Sequence, residues 1–375
     1  MAKTCRKYVT GGGRRGMSGD AMTVLALNAG SSSLKFGVFN VSETGSETLL
    51  SGEEESVGDP QAAMARIAAA LTAKAVRRPV VVGHRIVHGG PTLRRHARID
   101  ATVRQQLESA KAFAPLHVPD ALALLDAAQV TFPDTPQVAC LDTAFHVGMP
   151  DIARTLPLPG ELRALGVERY GFHGISAESI VRRLGNDIPK RLIIAHLGHG
   201  ASVTAVENGL SIDTSMGLTP TGGVIMSTRC GDLDPGVLAY VVREHGYTAL
   251  QLEALIDARS GLLGISGVSG DVRALHADAA SESLTSADSR LAIAMFCYSV
   301  RKQIAAMMVA LGGLDLLVFT GGIGEHDAVV RATISDGMTA LGVRDVAAVV
   351  RVMPAQEEQQ IAWQSWNAVR RSAAC

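Results

Sequence analysis

Apolar and polar positions divide the chain into short apolar runs closed by glycine turns, alternating with helical stretches. TVLALNAG (Thr23–Gly30) and LKFGVFNV (Leu34–Val41) flank a serine-rich turn, which predicts a β-hairpin. DPQAAMARIAAALTAKA places Met64, Ile67 and Leu71 on one face at helical spacing. RPVVVGHRIVHGG reads as a buried strand entering a glycine turn, VPDALALLDAAQ as a helix, and PQVACLDTAFH as a strand ending at Asp142. The pattern then restarts: RLIIAHLGHGASVTAVEN is again strand, glycine turn, strand. Aligning Asn28 with His196 brings Gly30 onto Gly198 and Ser31, Ser32 and Ser33 onto His199, Gly200 and Ala201. That repeat implies two related halves. Helices are expected over Pro235–His245, Ala249–Ala258 and Ala287–Leu311. LDLLVFTGGIGEH gives a further strand ending in a glycine turn, and a strand, a short loop and a helix close the chain.

At 375 residues the chain is too long for one ordinary core, which predicts two domains. Its aliphatic bias, 4% aromatics and 39 glycines suit an α/β enzyme rich in tight turns. A formal net charge of -1 gives no global pull toward nucleic acid or an anionic membrane. No unbroken apolar run approaches the ~20 residues that span a bilayer. The five cysteines are scattered with no CxxC pair, so a reduced, cytoplasmic setting is expected. Residues 1–21 are basic, glycine-rich and unpatterned, and read as a disordered tail or a misassigned start, with Met22 opening the folded part.

The turns carry the candidate chemistry. NAGSSSLKF packs small residues, hydroxyls and Lys35 around a hairpin, where backbone N–H groups can form an anion nest. No GxxxxGK[ST] occurs, so this is not a P-loop. Arg85 follows a strand in GHRIVHGG, and guanidinium suits bidentate phosphate or carboxylate contact. Asp142 ends a strand, His173 lies within RYGFHGIS, and Arg229 sits among small residues in MSTRCGDLDPG. Each also has a plain structural reading. A serine-rich hairpin needs no ligand, a lone histidine is more often structural, and Asp232 and Asp234 suit helix capping. Asp271 and Arg273 suit a surface turn pair, and Glu357 and Glu358 stand at a strand-to-helix junction where they too could cap. The HxxH spacing of His196 and His199 lacks further soft ligands, which argues against zinc. Taken together, glycine turns after strands, two arginines and carboxylates in both halves suit phosphoryl transfer, where positioning and charge neutralisation supply most of the catalysis.

LALNAGSSSLKFGVFN, GHRIVHGG, FAPLHVP, LDTAFHVGMP, RYGFHGIS, HLGHGASV, DTSMGLTPTGG, MSTRCGDLDPG, SGLLGISGVSGDVR and FTGGIGEH, in that order, resemble the acetokinase family, over roughly Val24 to Ala362. The resemblance implies two duplicated domains of the acetate and sugar kinase/Hsp70/actin (ribonuclease H-like) fold around an active-site cleft. The expected division is an N-terminal domain over 22–143, completed by a helix over 358–370, and a C-terminal nucleotide-binding domain over 144–357. It implies ATP, Mg²⁺ (or Mn²⁺) and acetate or another short-chain carboxylate, with acyl phosphate and ADP as products, in a cytoplasmic homodimer. Matched residue by residue, Asn28, Ser31, Ser33 and Lys35 would form the phosphate hairpin. Arg85 and Arg229 would flank the transferring group, His173 would hydrogen-bond the transition state, and Asp142 and Glu357 would organise the metal or the carboxylate, with Asn28 beside the metal. Val87, Leu116, Phe172 and Pro220 would line the acyl pocket. His196, Gly198, His199, Gly200, Asp271, Val272, Arg273, Gly322, Ile323 and Gly324 would hold the nucleotide.

Three departures stand out. His199 replaces the asparagine of the family's HLGNG turn, TPTGG replaces the more usual TPLEG, and Leu341–Pro354 is shorter than the matching family segment. The competing readings are a propionate or other short-acyl kinase, a pyrophosphate-dependent enzyme, and a homologue that binds nucleotide without turnover.

Overall fold

The computed structural model describes residues 21–30, 33–55, 59–115, 117–343 and 349–373. All but Ala21 of the expected tail over residues 1–21, Ser31 of the phosphate hairpin and Leu116 of the acyl pocket lie outside the described residues. The described residues group into two compact units: those within 1–144, 174–179 and 356–375 form unit 1, and those within 145–173 and 180–355 form unit 2.

Unit 1 is built on a six-stranded sheet. Its strands are β1 (Met22–Ala29), β2 (Ser33–Ser42), β3 (Gly45–Glu55), β4 (Val81–Ile86), β5 (Ala97–Arg98) and β6 (Gln137–Leu141), in the order β3-β2-β1-β4-β6-β5. β1 and β4, and β4 and β6, run parallel, so their C-terminal ends share one edge. The two-residue period of a strand separates its faces. Leu25 and Leu27 join helices Pro60–Ala73 and Val118–Thr131 on one side. Val24 and Ala26 join Ile361, Ala362 and Trp366 of helix Glu357–Ala373 on the other. The predicted helical face of Met64, Ile67 and Leu71 is buried.

Unit 2 repeats the plan with β7 (Arg191–Leu197), β8 (Ala201–Glu207), β9 (Leu210–Thr214), β10 (Leu316–Thr320) and β11 (Val350–Val352), in the order β11-β10-β7-β8-β9. Strand for strand, β7-β8-β9-β10-β11 take the places and directions of β1-β2-β3-β4-β6. The fold is α/β and duplicated, as the sequence repeat implies. The repeat needs one correction. Ala29 pairs with Leu34 and Leu197 with Ala201, so the second hairpin turn is one residue shorter and Leu34, rather than Ser33, is the counterpart of Ala201.

Helix Ser286–Leu311 packs on β7, β8 and β9 through one face that includes Phe296, Val300, Ile304 and Met307. It is long and apolar enough to cross a membrane by length and composition. It nevertheless carries Asp288, Arg290, Arg301 and Lys302 and supplies core residues to unit 2.

Candidate active site

In unit 1, three strand ends and one helix start supply a bonded cluster of polar side chains. Asn28 is the penultimate residue of β1, Arg85 lies near the end of β4, and Asp142 follows β6, so parallel pairing brings all three to one edge. Ligands of α/β sheets gather outside such carboxyl ends. Arg85 donates to Asp142 Oδ2 from Nε (2.9 Å) and Nη2 (2.6 Å), and to Asn28 Oδ1 from Nη1 (3.3 Å). The Asn28 amide donates in turn to Glu357 Oε2 and Glu358 Oε1, both at 2.8 Å.

The electrostatics of this cluster follow from its burial. Burial by itself lowers the Arg85 pKa, but Asp142 and then Glu357 reverse that effect and raise it, so the guanidinium stays charged. Asp142 is 1% exposed, and burial pushes its pKa above the ordinary carboxyl value despite the opposing charge of Arg85. The two partners therefore shift for different reasons: neighbouring carboxylates raise Arg85, while burial raises Asp142 against the two hydrogen bonds it accepts from the guanidinium. Asp142 Oδ1 is buried with no hydrogen-bond partner. Ser33 donates to Glu53 Oε1 at 2.6 Å, while Lys35 pairs opposite Asn28 with its side chain exposed.

In unit 2 the equivalent strand ends carry different chemistry. The Gly198–Gly200 turn closes with Gly198 N–H donating to Gly200 O at 3.0 Å. His173 hydrogen-bonds Ser202 Oγ through Nδ1 at 3.0 Å, and its ring stacks on His196 with centroids 4.2 Å apart. His173 adopts φ 57°, a left-handed conformation uncommon outside glycine, and Gln356, just before Glu357, adopts φ 48°. Backbone strain of this kind clusters at functional sites. A Cβ on Gly200 would lie 3.1 Å from His173 Nε2 and 3.3 Å from Arg229 Nη1, so the turn backbone runs directly against both candidate groups. Arg229 donates to Pro220 O at 3.2 Å.

His199 reaches solvent, yet the surrounding protein and Arg229 hold its pKa below the ordinary imidazole value, against the opposite pull of Asp271. Asp271 caps helix Val272–Ala279 and pairs with Arg273, whose side chain is 91% exposed. Val272 and Phe172 are buried, as is Val87 in unit 1, and Pro220 is half-buried.

Gly322, Ile323 and Gly324 correct the expected glycine loop, for they lie inside a short helix, Gly321–His326, directly after β10. Gly321 makes the junction at φ 78°, where a Cβ would meet Leu197 O at 2.7 Å, and its N–H donates to Glu325.

The acetokinase family model matches residues 51–361. The chain belongs to the acetokinase family. It is 44% identical over 353 residues to acetate kinase of Deinococcus deserti, covering 86% of this chain and 87% of that protein. It is also 44% identical over 268 residues to acetate kinase of Thermosynechococcus vestitus, covering 70% of this chain and 64% of that protein. A propionate kinase structure from Francisella tularensis superposes with a TM-score of 0.83 at 32% identity, covering 92% of this chain and all but 1% of that one (99%).

Within this acetokinase chain, the structure joins Asn28, Arg85, Asp142 and Glu357 in unit 1, and His173, His196, Gly200 and Arg229 in unit 2. Glu358, the second acceptor for Asn28, is marked in the sequence only by the Glu357–Glu358 doublet. Ser202, which orients His173, left no such signal.

Proposed function

We propose that the chain is an Mg²⁺-dependent acetate kinase that moves the γ-phosphoryl group of ATP onto acetate. The observation that carries this reading is the bonded set Asn28–Arg85–Asp142–Glu357 at parallel strand ends in a member of the acetokinase family. In the forward direction a carboxylate oxygen of acetate forms a bond to the γ-phosphorus as the bond to the β–γ bridging oxygen breaks. Acetyl phosphate and ADP result, and the reverse path returns ATP.

Acetate has a pKa close to that of a glutamate side chain, about 4.3, so it is ionised at pH 7 and needs no general base. The barrier is the approach of one anion to another. Arg85, held charged by its carboxylate neighbours, and Arg229 are the cations that favour a charge-rich transition state. Asp142, whose Oδ2 accepts both Arg85 bonds, anchors that guanidinium and takes no proton from acetate. His173 presents its ring beside the Gly200 turn to hydrogen-bond the transferring group, and Ser202 fixes its orientation. Asn28, Ser31, Ser33 and Lys35 hold phosphate oxygens. The Gly198–Gly200 turn, Asp271–Arg273 and Gly322–Gly324 serve the nucleotide, and Val87, Leu116, Phe172 and Pro220 the acyl group.

Mg²⁺ fits the donors of unit 1. Glu357 and Glu358 offer carboxylate oxygens, Asp142 Oδ1 is a buried oxygen without a partner, and Asn28, whose NH2 donates to both glutamates while its Oδ1 accepts from Arg85, would turn its amide oxygen to the ion. Among the described residues no group of three His, Cys, Asp or Glu is placed to hold a metal by itself. Mg²⁺ commonly binds through one or two carboxylates together with substrate phosphates. Asn28 and Glu357 are the residues that would hold it, and its contribution would be to neutralise phosphate charge.

Trapping acetyl phosphate as the hydroxamate, with ATP, Mg²⁺ and acetate, tests the reading. Product above a blank supports it, and nucleotide binding without product refutes it. Propionate, butyrate and pyrophosphate arms decide the acyl group and the donor. The structural match to a propionate kinase makes propionate the alternative substrate to test.

The same reading includes a homodimer formed through unit 2. Helices Pro235–His245 and Ala249–Ala258 contain no buried residue, yet expose Val237, Tyr240, Val242 and Leu250.

A further inference from the structure

We propose that His96 is a positioning residue for the candidate phosphoryl-transfer site, fixing Asp142 through the backbone of Leu141. This rests on the role assigned to Asp142 above.

The sheet is incomplete where it matters. β5 is only two residues long and pairs Ala97 with Ala139 and Arg98 with Val138. Along β6, backbone groups alternate sides, and Asp142 N–H points to β4, donating to Ile86 O at 2.9 Å. The Leu141 N–H therefore points to the β5 side, beyond the end of that strand. Leu141 is fully buried, so this donor needs a protein partner. His96, the residue before β5, supplies it: Leu141 N–H donates to His96 Nδ1 at 3.0 Å. One imidazole thus replaces the missing rung immediately before Asp142.

The ring is itself held. With Nδ1 accepting, the proton sits on Nε2, which faces both oxygens of Glu178 at 3.1 and 3.2 Å. Gln364 and Gln360 donate to Glu178 Oε2 at 2.8 and 3.3 Å. Both glutamines lie on helix Glu357–Ala373, whose first two residues accept from Asn28. The helix that supplies Glu357 therefore also braces the support of Asp142, and both halves of the unit 1 cluster are registered to one rigid element. Asp142 is tied at its own carbonyl by Gly174 N–H at 2.8 Å. His96 removes the remaining freedom on its N-terminal side.

Two substitutions separate the two ring nitrogens. An asparagine amide oxygen overlays Nδ1, so His96→Asn keeps an acceptor for Leu141 and drops the Glu178 bond. A glutamine amide overlays Nε2, so His96→Gln keeps the Glu178 bond and drops the acceptor. Catalytic groups displaced by about 1 Å can lose ~10²-fold in rate. We expect His96→Gln to lower kcat about tenfold with KM for ATP within about twofold of wild type, and to speed amide exchange at Leu141 and Asp142. His96→Asn should stay within about threefold of wild type in kcat, with Leu141 still protected. A merely structural role predicts equal losses of Tm in both variants and no separation in kcat. Unchanged kcat and Leu141 exchange in folded His96→Gln, or equal damage in the two variants, overturns the proposal. A wild-type chain without kinase activity overturns instead the reading on which it rests.

Discussion

Removing the Arg85 guanidinium strips a buried carboxylate of its counter-charge, so fold and chemistry are lost together. Asp142 is 1% exposed and its bonded oxygen serves Arg85 alone among the described side chains. Breaking a buried pair from one side costs about 3–5 kcal/mol. Arg85→Ala should therefore lower the unfolding midpoint and cut turnover by ~10²–10³. Arg229→Ala should cut turnover by a similar factor while costing about 1.5–3 kcal/mol of stability, because the Pro220 carbonyl loses a charged hydrogen-bond donor. Denaturant titration alongside the hydroxamate assay separates the two, and near-normal kcat in folded Arg229→Ala would refute its role. At the second turn, His199→Asn exchanges the imidazole for the amide that the family resemblance leads one to expect there. We expect it to lower KM for ATP about threefold, a change of about 0.6 kcal/mol. An unchanged KM would show the imidazole to be neutral for donor binding. Arg85, Asp142 and His173 were legible because they stand beside recognisable turns. Glu358 and Ser202 were harder to read as partners because Asn28 and Glu358 are separated by 330 positions, and no local spacing records such a contact.

Between neighbouring strands, His84 of β4 and Gln137 of β6 make a buried pair with a pH signature. His84 Nε2 lies 2.6 Å from Gln137 Oε1, while Nδ1 is buried without a hydrogen-bond partner. Burial lowers its pKa from 6.5 to about 4, only partly offset by Gln137. The unfolded chain therefore binds the proton first as pH falls through 6.5, so stability is full above that value and is lost toward pH 4. The linkage amounts to about 2 kcal/mol between pH 7 and pH 5. Urea unfolding at the two pH values should show this loss, and His84→Gln should flatten it; an equal slope in both proteins would remove His84 as the cause. Element prediction succeeded where apolar periodicity was strong, as in β1, β4, β7 and helix Pro60–Ala73. It passed over β3, because GSETLLSGEEE is polar and lies at the sheet edge, with few apolar positions to mark a strand. GGIG carries no helical signal, because glycine is a poor helix former. In the folded chain that segment opens a helix, with Glu325 accepting from both Gly321 and Ala355 N–H groups.

At the scale of the molecule, the duplicated sheets show one plan carrying two chemistries. Strand ends of unit 1 hold an arginine–carboxylate cluster, and the matching ends of unit 2 hold glycine turns and His196, on which His173 stacks. Neither core uses helices Pro235–His245 and Ala249–Ala258, which have 11 and 10 residues and no buried side chain. Helices of that length are marginal in water unless an apolar face is covered. Tyr240 is 49% exposed, Leu250 78% and Tyr298 of helix Ser286–Leu311 58%. A second copy covering these helices would remove that apolar surface from water, and a stable contact requires about 1,200–2,000 Å² in total. Sedimentation at micromolar concentration should give about twice the chain mass of 39.2 kDa. Tyr240→Asp and Leu250→Asp place charge on the proposed face without touching a core residue. They should yield monomers whose far-UV signal from the two sheets is retained. A wild-type chain that sediments as a monomer, or charged variants that remain dimeric, would place the covering surface elsewhere.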